Sequence, residues 1–129
     1  MAAFTLTASG VNVGKGAVVR SYTSNEALTA GQAITSNGYL VDINDSAKQA
    51  IAGLSISTAS ATGQIVAVIS GDVVVTDTLV PQRQIIAAPS GQLQYDDDLL
   101  SGDGYVIVGY TKDANTITLV PLSTGVTKA

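Results

Sequence analysis

Residues 47–71 read AKQAIAGLSISTASATGQIVAVISG, and Lys48 is the only charged side chain among them. Ser, Thr, Gln and Gly interrupt each apolar run well short of the roughly 20 residues a membrane-spanning helix needs. A soluble fold is therefore expected to bury the segment. Within it, QIVAVIS at 64–70 is rich in β-branched side chains and alternates at close to period two, which predicts a strand.

Similar signals lie on both sides: AVVRSY at 17–22, YLVDI at 39–43, YVIVGY at 105–110 and TITLV at 116–120. Turn formers separate them at Asn37-Gly38, Ser70-Gly71-Asp72, Pro89-Ser90-Gly91 and Ser101-Gly102-Asp103-Gly104. Many short strands with frequent turns predict an all-β fold, a compact single-domain β-barrel or β-sandwich of short antiparallel strands. QAITSNGYLVDI at 32–43 reads as a β-hairpin, because Asn-Gly tolerates the positive φ angles of a tight turn. NDSAKQAIAG at 44–53 allows one helical turn after an Asp45 or Ser46 cap and nothing longer, since Gly53 and the β-rich sequence beyond stop it.

The first sixteen residues, MAAFTLTASGVNVGKG, are rich in small side chains and end in three closely spaced glycines. They predict a flexible, extended N-terminal arm over 1–16, ahead of a β-rich domain over 17–129. Phe4 and Leu6 are its sizeable apolar anchors, and Val11 and Val13 join them as candidate interface residues. The arm either pairs as an edge strand or stays mobile until something captures it, and the alternative is a first strand paired within its own domain. Of the five tyrosines, Tyr22 and Tyr39 are the interface candidates, because tyrosine suits a surface that is apolar along its body and polar at its tip.

At 129 residues the chain has the size of one domain. Hydrophobic residues make up 46% and aromatic ones only 5%, so the core is expected to be built from Val, Ile, Leu and Ala. The net charge is −4, and the six cations are scattered singly, which argues against nucleic acid or an anionic membrane as partner. The start of the sequence lacks the basic and apolar regions of a secretory signal, so the protein is expected to stay in the cell that makes it or to leave by lysis.

With no His and no Cys, His-assisted Ser catalysis, Cys nucleophiles and the usual zinc ligand sets are excluded. No catalytic residue, cofactor or metal is assigned. YDDDLLSGDG gathers Asp96, Asp97, Asp98 and Asp103, but it has neither the alternating ligands nor the final Glu of a calcium loop, and reads as a solvated acidic turn that blunts a sheet edge. Asp72 with Asp77, or Asp42 with Asp45, offers a carboxylate pair of the kind glycosidases use; ordinary loop aspartates are the simpler reading. GVNVGKG at 10–16 is one residue short of a phosphate-binding loop, and Gly16 stands where a magnesium-binding hydroxyl is required.

IAGLSISTASATGQIVAVISG, preceded by LTAGQAITSNGYLVDIN and followed by PQRQIIAAPSGQLQ and GYVIVGYTKDANTITLVPLSTGV, resembles the capsid decoration, or cement, proteins of tailed bacteriophages. The likeness is one of turns and alternation, spans about Leu28 to Val126, and leaves the N-terminal arm outside. It implies a structural virion protein, made in the bacterial cytoplasm, on the outer surface of the capsid. There it would bridge subunits of the major capsid protein and brace the expanded head, as a homo-oligomer with a trimer favoured over a dimer. No nucleic acid or membrane partner is implied. The alternative is a carbohydrate- or receptor-binding β-module of a head or tail fibre, using Tyr side chains and the 96–103 loop; a small carboxylate enzyme ranks last.

Overall fold

The computed structural model describes residues 3–128; Met1, Ala2 and Ala129, and with them the tip of the expected arm, lie outside the described residues. The strands are β1 (Asn12–Val13), β2 (Val18–Thr23), β3 (Ala33–Thr35), β4 (Ile51–Ser55), β5 (Gln64–Val74), β6 (Gln84–Ala87), β7 (Leu93–Tyr95), β8 (Gly104–Asp113) and β9 (Thr116–Thr127). They pair antiparallel in the order β3-β4-β5-β9-β8-β6-β7, with β1 and β2 both on β5. The result is a curled sheet, a half-barrel in a single all-β domain.

β5 organises the sheet. Its residues 64–70 pair with β2 on one side and, at Ala67 and Val68, with β4 on the other. From Gly71 onward the same strand pairs with β9, and at Val73 and Val74 with β1. The change of partners falls at a sharp bend, where Gly71 has φ +88° and a Cβ would lie 2.2 Å from the Gly16 carbonyl oxygen. Only glycine accepts both the left-handed backbone and so close an approach, which is why it marks this corner.

The Asn-Gly hairpin forms, with a three-residue loop. The Gly38 N–H donates to the Thr35 carbonyl, the Thr35 N–H donates to the Tyr39 carbonyl, and Gly38 is the residue with positive φ. This is the type I turn closed by a left-handed glycine. The returning YLVDI segment makes only a bridge, Leu40 to Ile34, and is otherwise irregular. Its alternation serves burial instead: Val41 and Ile43 enter the core, while the Asp42 carboxylate accepts from the Asn44 N–H in a turn. The single helical turn appears as a 3-10 turn over Ser46–Lys48, capped by the Asp45 side chain at the Ala47 N–H.

Aliphatic side chains fill the half-barrel. Ile85, Ile86, Leu54, Val68, Val108 and Ile117 are fully buried in one large cluster, and Leu28, Ile34, Ile65 and Ala67 form a second beneath Tyr22 and Leu40. Tyr95 is the buried aromatic residue among those described, and its hydroxyl accepts the Val80 N–H.

Residues 3–16 differ from the flexible arm expected. Phe4 and Leu93 exchange backbone hydrogen bonds at 2.8 and 3.0 Å, Leu6 and Val11 are buried in the large cluster, and β1 pairs with β5. The Thr7 N–H and hydroxyl both donate to the Asp77 carboxylate. Burial of two branched side chains and a row of ladder bonds repay the ordering of this segment.

Candidate functional site

β1 and β2 run as one interrupted strand along β5. Asn12 and Val13 stand opposite Val74 and Val73, the Gly14 N–H donates to the Asp72 carbonyl, the Asp72 N–H donates to the Lys15 carbonyl, and Val19 to Thr23 stand opposite Val68 to Gln64. Between the two halves the chain kinks at Gly16, whose φ is +71°. A register shift between Val18 and Val19 adds a bulge. From Val19 to Thr23 the strand is regular.

This strand is an outer edge of the sheet. Each residue from Val18 to Thr23 is exposed except Tyr22, which is half-buried. Val13, Val18 and Val19 are 53%, 49% and 49% exposed, so branched apolar side chains face solvent along this edge. At its Thr23 end the edge is covered by the Asn37-Gly38 turn, whose Gly38 carbonyl accepts the Asn25 N–H, and the other outer strands are closed by the chain itself. Phe4 occupies the free side of β7, and the returning 39–41 segment occupies the free side of β3 through the Thr35–Tyr39 and Val41–Ala33 hydrogen bonds.

A second apolar surface lies on the outward face of β8 and β9. Tyr110, Val120 and Leu122 are each about half exposed, and Leu122 stands directly opposite the half-buried Ile107. The face continues into a polar node, since Thr118 stands opposite both Tyr110 and Asp72. The Asp72 carboxylate accepts the Thr118 hydroxyl at 2.8 Å and the Lys112 ammonium at 3.2 Å. The Thr118 hydrogen bond, helped by Lys112 and by the charge of Lys15, holds the Asp72 carboxyl below the ordinary carboxylate value in spite of its burial.

Of the interface candidates, the structure brings Val13 and Tyr22 onto the open edge. Leu6 and Val11 are withdrawn into the core, which corrects the expectation that a partner meets them. Phe4 is half-buried with its ring 5.4 Å from that of Tyr95, and Tyr39 is half-buried under the Lys48 ammonium at 5.0 Å. Sequence reasoning missed Val18, Val19 and Arg20. The signal was present in AVVRSY, a strand pattern that holds no proline and no lysine, the residues that commonly protect an edge.

The carboxylates singled out for chemistry take structural duties. Asp77 holds Thr7, Asp45 caps a turn, Asp42 closes a turn, and Asp72 sits in the node above. In the acidic loop, the Arg83 guanidinium lies 2.7 Å from Asp97 and 3.5 Å from Asp96 and rests over the Tyr95 ring. Among the described residues no three of the metal-ligating side chains gather into a site. Two open hollows of about 230 and 240 Å³ flank the loop, one lined by Tyr105, Val126 and Lys128, the other by Asn44, Asp98 and Asp103. No helix among the described residues is long and apolar enough to cross a membrane.

No protein-family model matches the chain, and no curated protein matches it.

Proposed function

We propose that the protein is a structural adhesive of a phage head, decorating the outer surface of the expanded capsid and bridging major capsid protein subunits as a homo-oligomer. The observation that carries this reading is where most of the exposed apolar side chains lie: on regular strand structure, including the β1–β2 edge and the β8–β9 face around Tyr110, Val120 and Leu122. Apolar groups displayed on a rigid sheet suit attachment to another folded surface. The docked N-terminal segment shifts the mechanism. Attachment falls to the sheet surface, because Leu6 and Val11 already have partners inside the molecule. Several copies touching several capsid subunits turn modest contacts into firm binding through effective concentration. The net charge of −4 suits the outside of a shell filled with phosphate.

Mixing the purified protein with undecorated expanded heads of tailed phages, then pelleting and imaging them, tests the reading. Added density on the outer surface is expected, and Leu122→Asp combined with Val120→Asp should reduce it strongly while leaving the circular dichroism spectrum unchanged. A protein that stays in the supernatant with every head offered, or that instead retains glycans on a column, ends the proposal.

A further inference from the structure

We propose that Asn37 is a site of spontaneous modification, deamidating through a cyclic imide with Gly38, and that Asn25 keeps it dormant while the molecule is folded. This inference stands apart from the capsid reading and is tested on the chain alone.

The chemistry is intramolecular. The Gly38 backbone nitrogen attacks the side-chain carbonyl carbon of Asn37, and the new C–N bond closes the imide ring. The attacking nitrogen gives its proton to solvent, and the side-chain nitrogen leaves as ammonia. Water then opens the ring at one carbonyl or the other, leaving aspartate or isoaspartate. A side chain on the following residue hinders the attack, so glycine is the neighbour that permits it best. Of the asparagines at 12, 25, 37, 44 and 115, Asn37 alone is followed by glycine. Asn37 is exposed, so water reaches it.

The fold cannot remove the hazard by giving up the glycine. Gly38 has φ +80°, and a Cβ there would lie 2.1 Å from the Thr23 carbonyl oxygen, so conformation and space both demand glycine. The fold instead holds the reacting peptide still. Attack requires the 37–38 peptide plane to turn about the Asn37 Cα–C bond until the nitrogen lies within about 3–3.5 Å of the side-chain carbonyl carbon. Both polar ends of that plane are tied. The Gly38 N–H donates to the Thr35 carbonyl at 3.0 Å, and the Asn37 carbonyl accepts the Asn25 side-chain amide at 2.5 Å. Asn25 grips the turn a second time, its backbone N–H donating to the Gly38 carbonyl at 2.9 Å. Deamidation therefore waits for the turn to open locally. Isoaspartate would make the opening permanent, because it lengthens the backbone between residues 37 and 38 by a methylene and spoils the register of these bonds.

Peptide mass spectrometry of the full chain, aged in mildly alkaline buffer with and without urea, reads the site directly. In urea, conversion at Asn37 should outrun that at the other asparagines. In the folded chain it should be slower by at least about tenfold, the cost of a misplaced nucleophile. Asn25→Ala removes the side-chain tie and keeps the backbone one; it should raise the folded rate about fivefold, the worth of one hydrogen bond. Asn25→Asp, which keeps the shape and loses the donor, supplies the same test if Asn25→Ala does not fold. Ile117→Val weakens the large core cluster and leaves the bonds of the turn in place, so it should leave the folded rate unchanged. Equal rates with and without urea, an unchanged rate in the Asn25 variants, an equal acceleration by Ile117→Val, or faster conversion at another asparagine overturns the proposal.

Discussion

Asp72 has the features by which a catalytic carboxylate is sought, being largely buried and charged, yet each contact it makes ties strands together. It accepts from Thr118 of β9 and from Lys112 of β8 while sitting on β5. Because its folded pKa lies below the ordinary 3.8, its charged form favours the folded state. That contribution is complete above the unfolded value and is lost as pH falls through the lower folded one. Asp72→Asn should therefore cost about 1–2 kcal/mol in urea unfolding at neutral pH, with the difference from the unmodified chain shrinking below about pH 4. A constant difference across that range would place the effect in packing. A list of aspartates could not reveal this node, since its partners lie 40 and 46 positions away. Tyr22 and Tyr39, offered as interface candidates, are half-buried, as suits a side chain whose ring and hydroxyl favour different surroundings.

Period-two alternation located β5, β8 and β9, because one face of each meets the core, and β-branched and aromatic content located β2, which is exposed apart from Tyr22. It failed over 39–43, where Val41 and Ile43 are buried without a continuous ladder. It also left residues 3–16 undecided, since a docked edge segment and a free arm share a composition of small residues with a few apolar anchors. The structure gives that segment a measurable weight. Leu6→Ala should destabilise the whole protein by about 2–5 kcal/mol, the cost of an unfilled core site, in a thermal or urea melt. Loss of less than about 0.5 kcal/mol would return the segment to the status of a loose arm. At the β5 corner, Gly71→Ala should cost about 1–3 kcal/mol through its positive φ and more through its collision with Gly16, again read from the melt.

The class of the whole molecule was legible, and its closure was not. Frequent turns and β-branched runs determine that strands form, but no local pattern states that β6 pairs with both β7 and β8, or that β5 is shared by β1, β2, β4 and β9. Nor does it distinguish the interior strand β5 from the outer strand β2, since AVVRSY and QIVAVIS both read as strand-forming runs with β-branched side chains. The exposed edge is thus a property of topology. Since a single covalent strand is woven into both halves of the half-barrel, melting of one half strips the other of a strand. Heat or denaturant is therefore expected to meet one cooperative unit, with coincident transitions by circular dichroism and tyrosine fluorescence, and a tug on either end is carried to the other along the main chain itself.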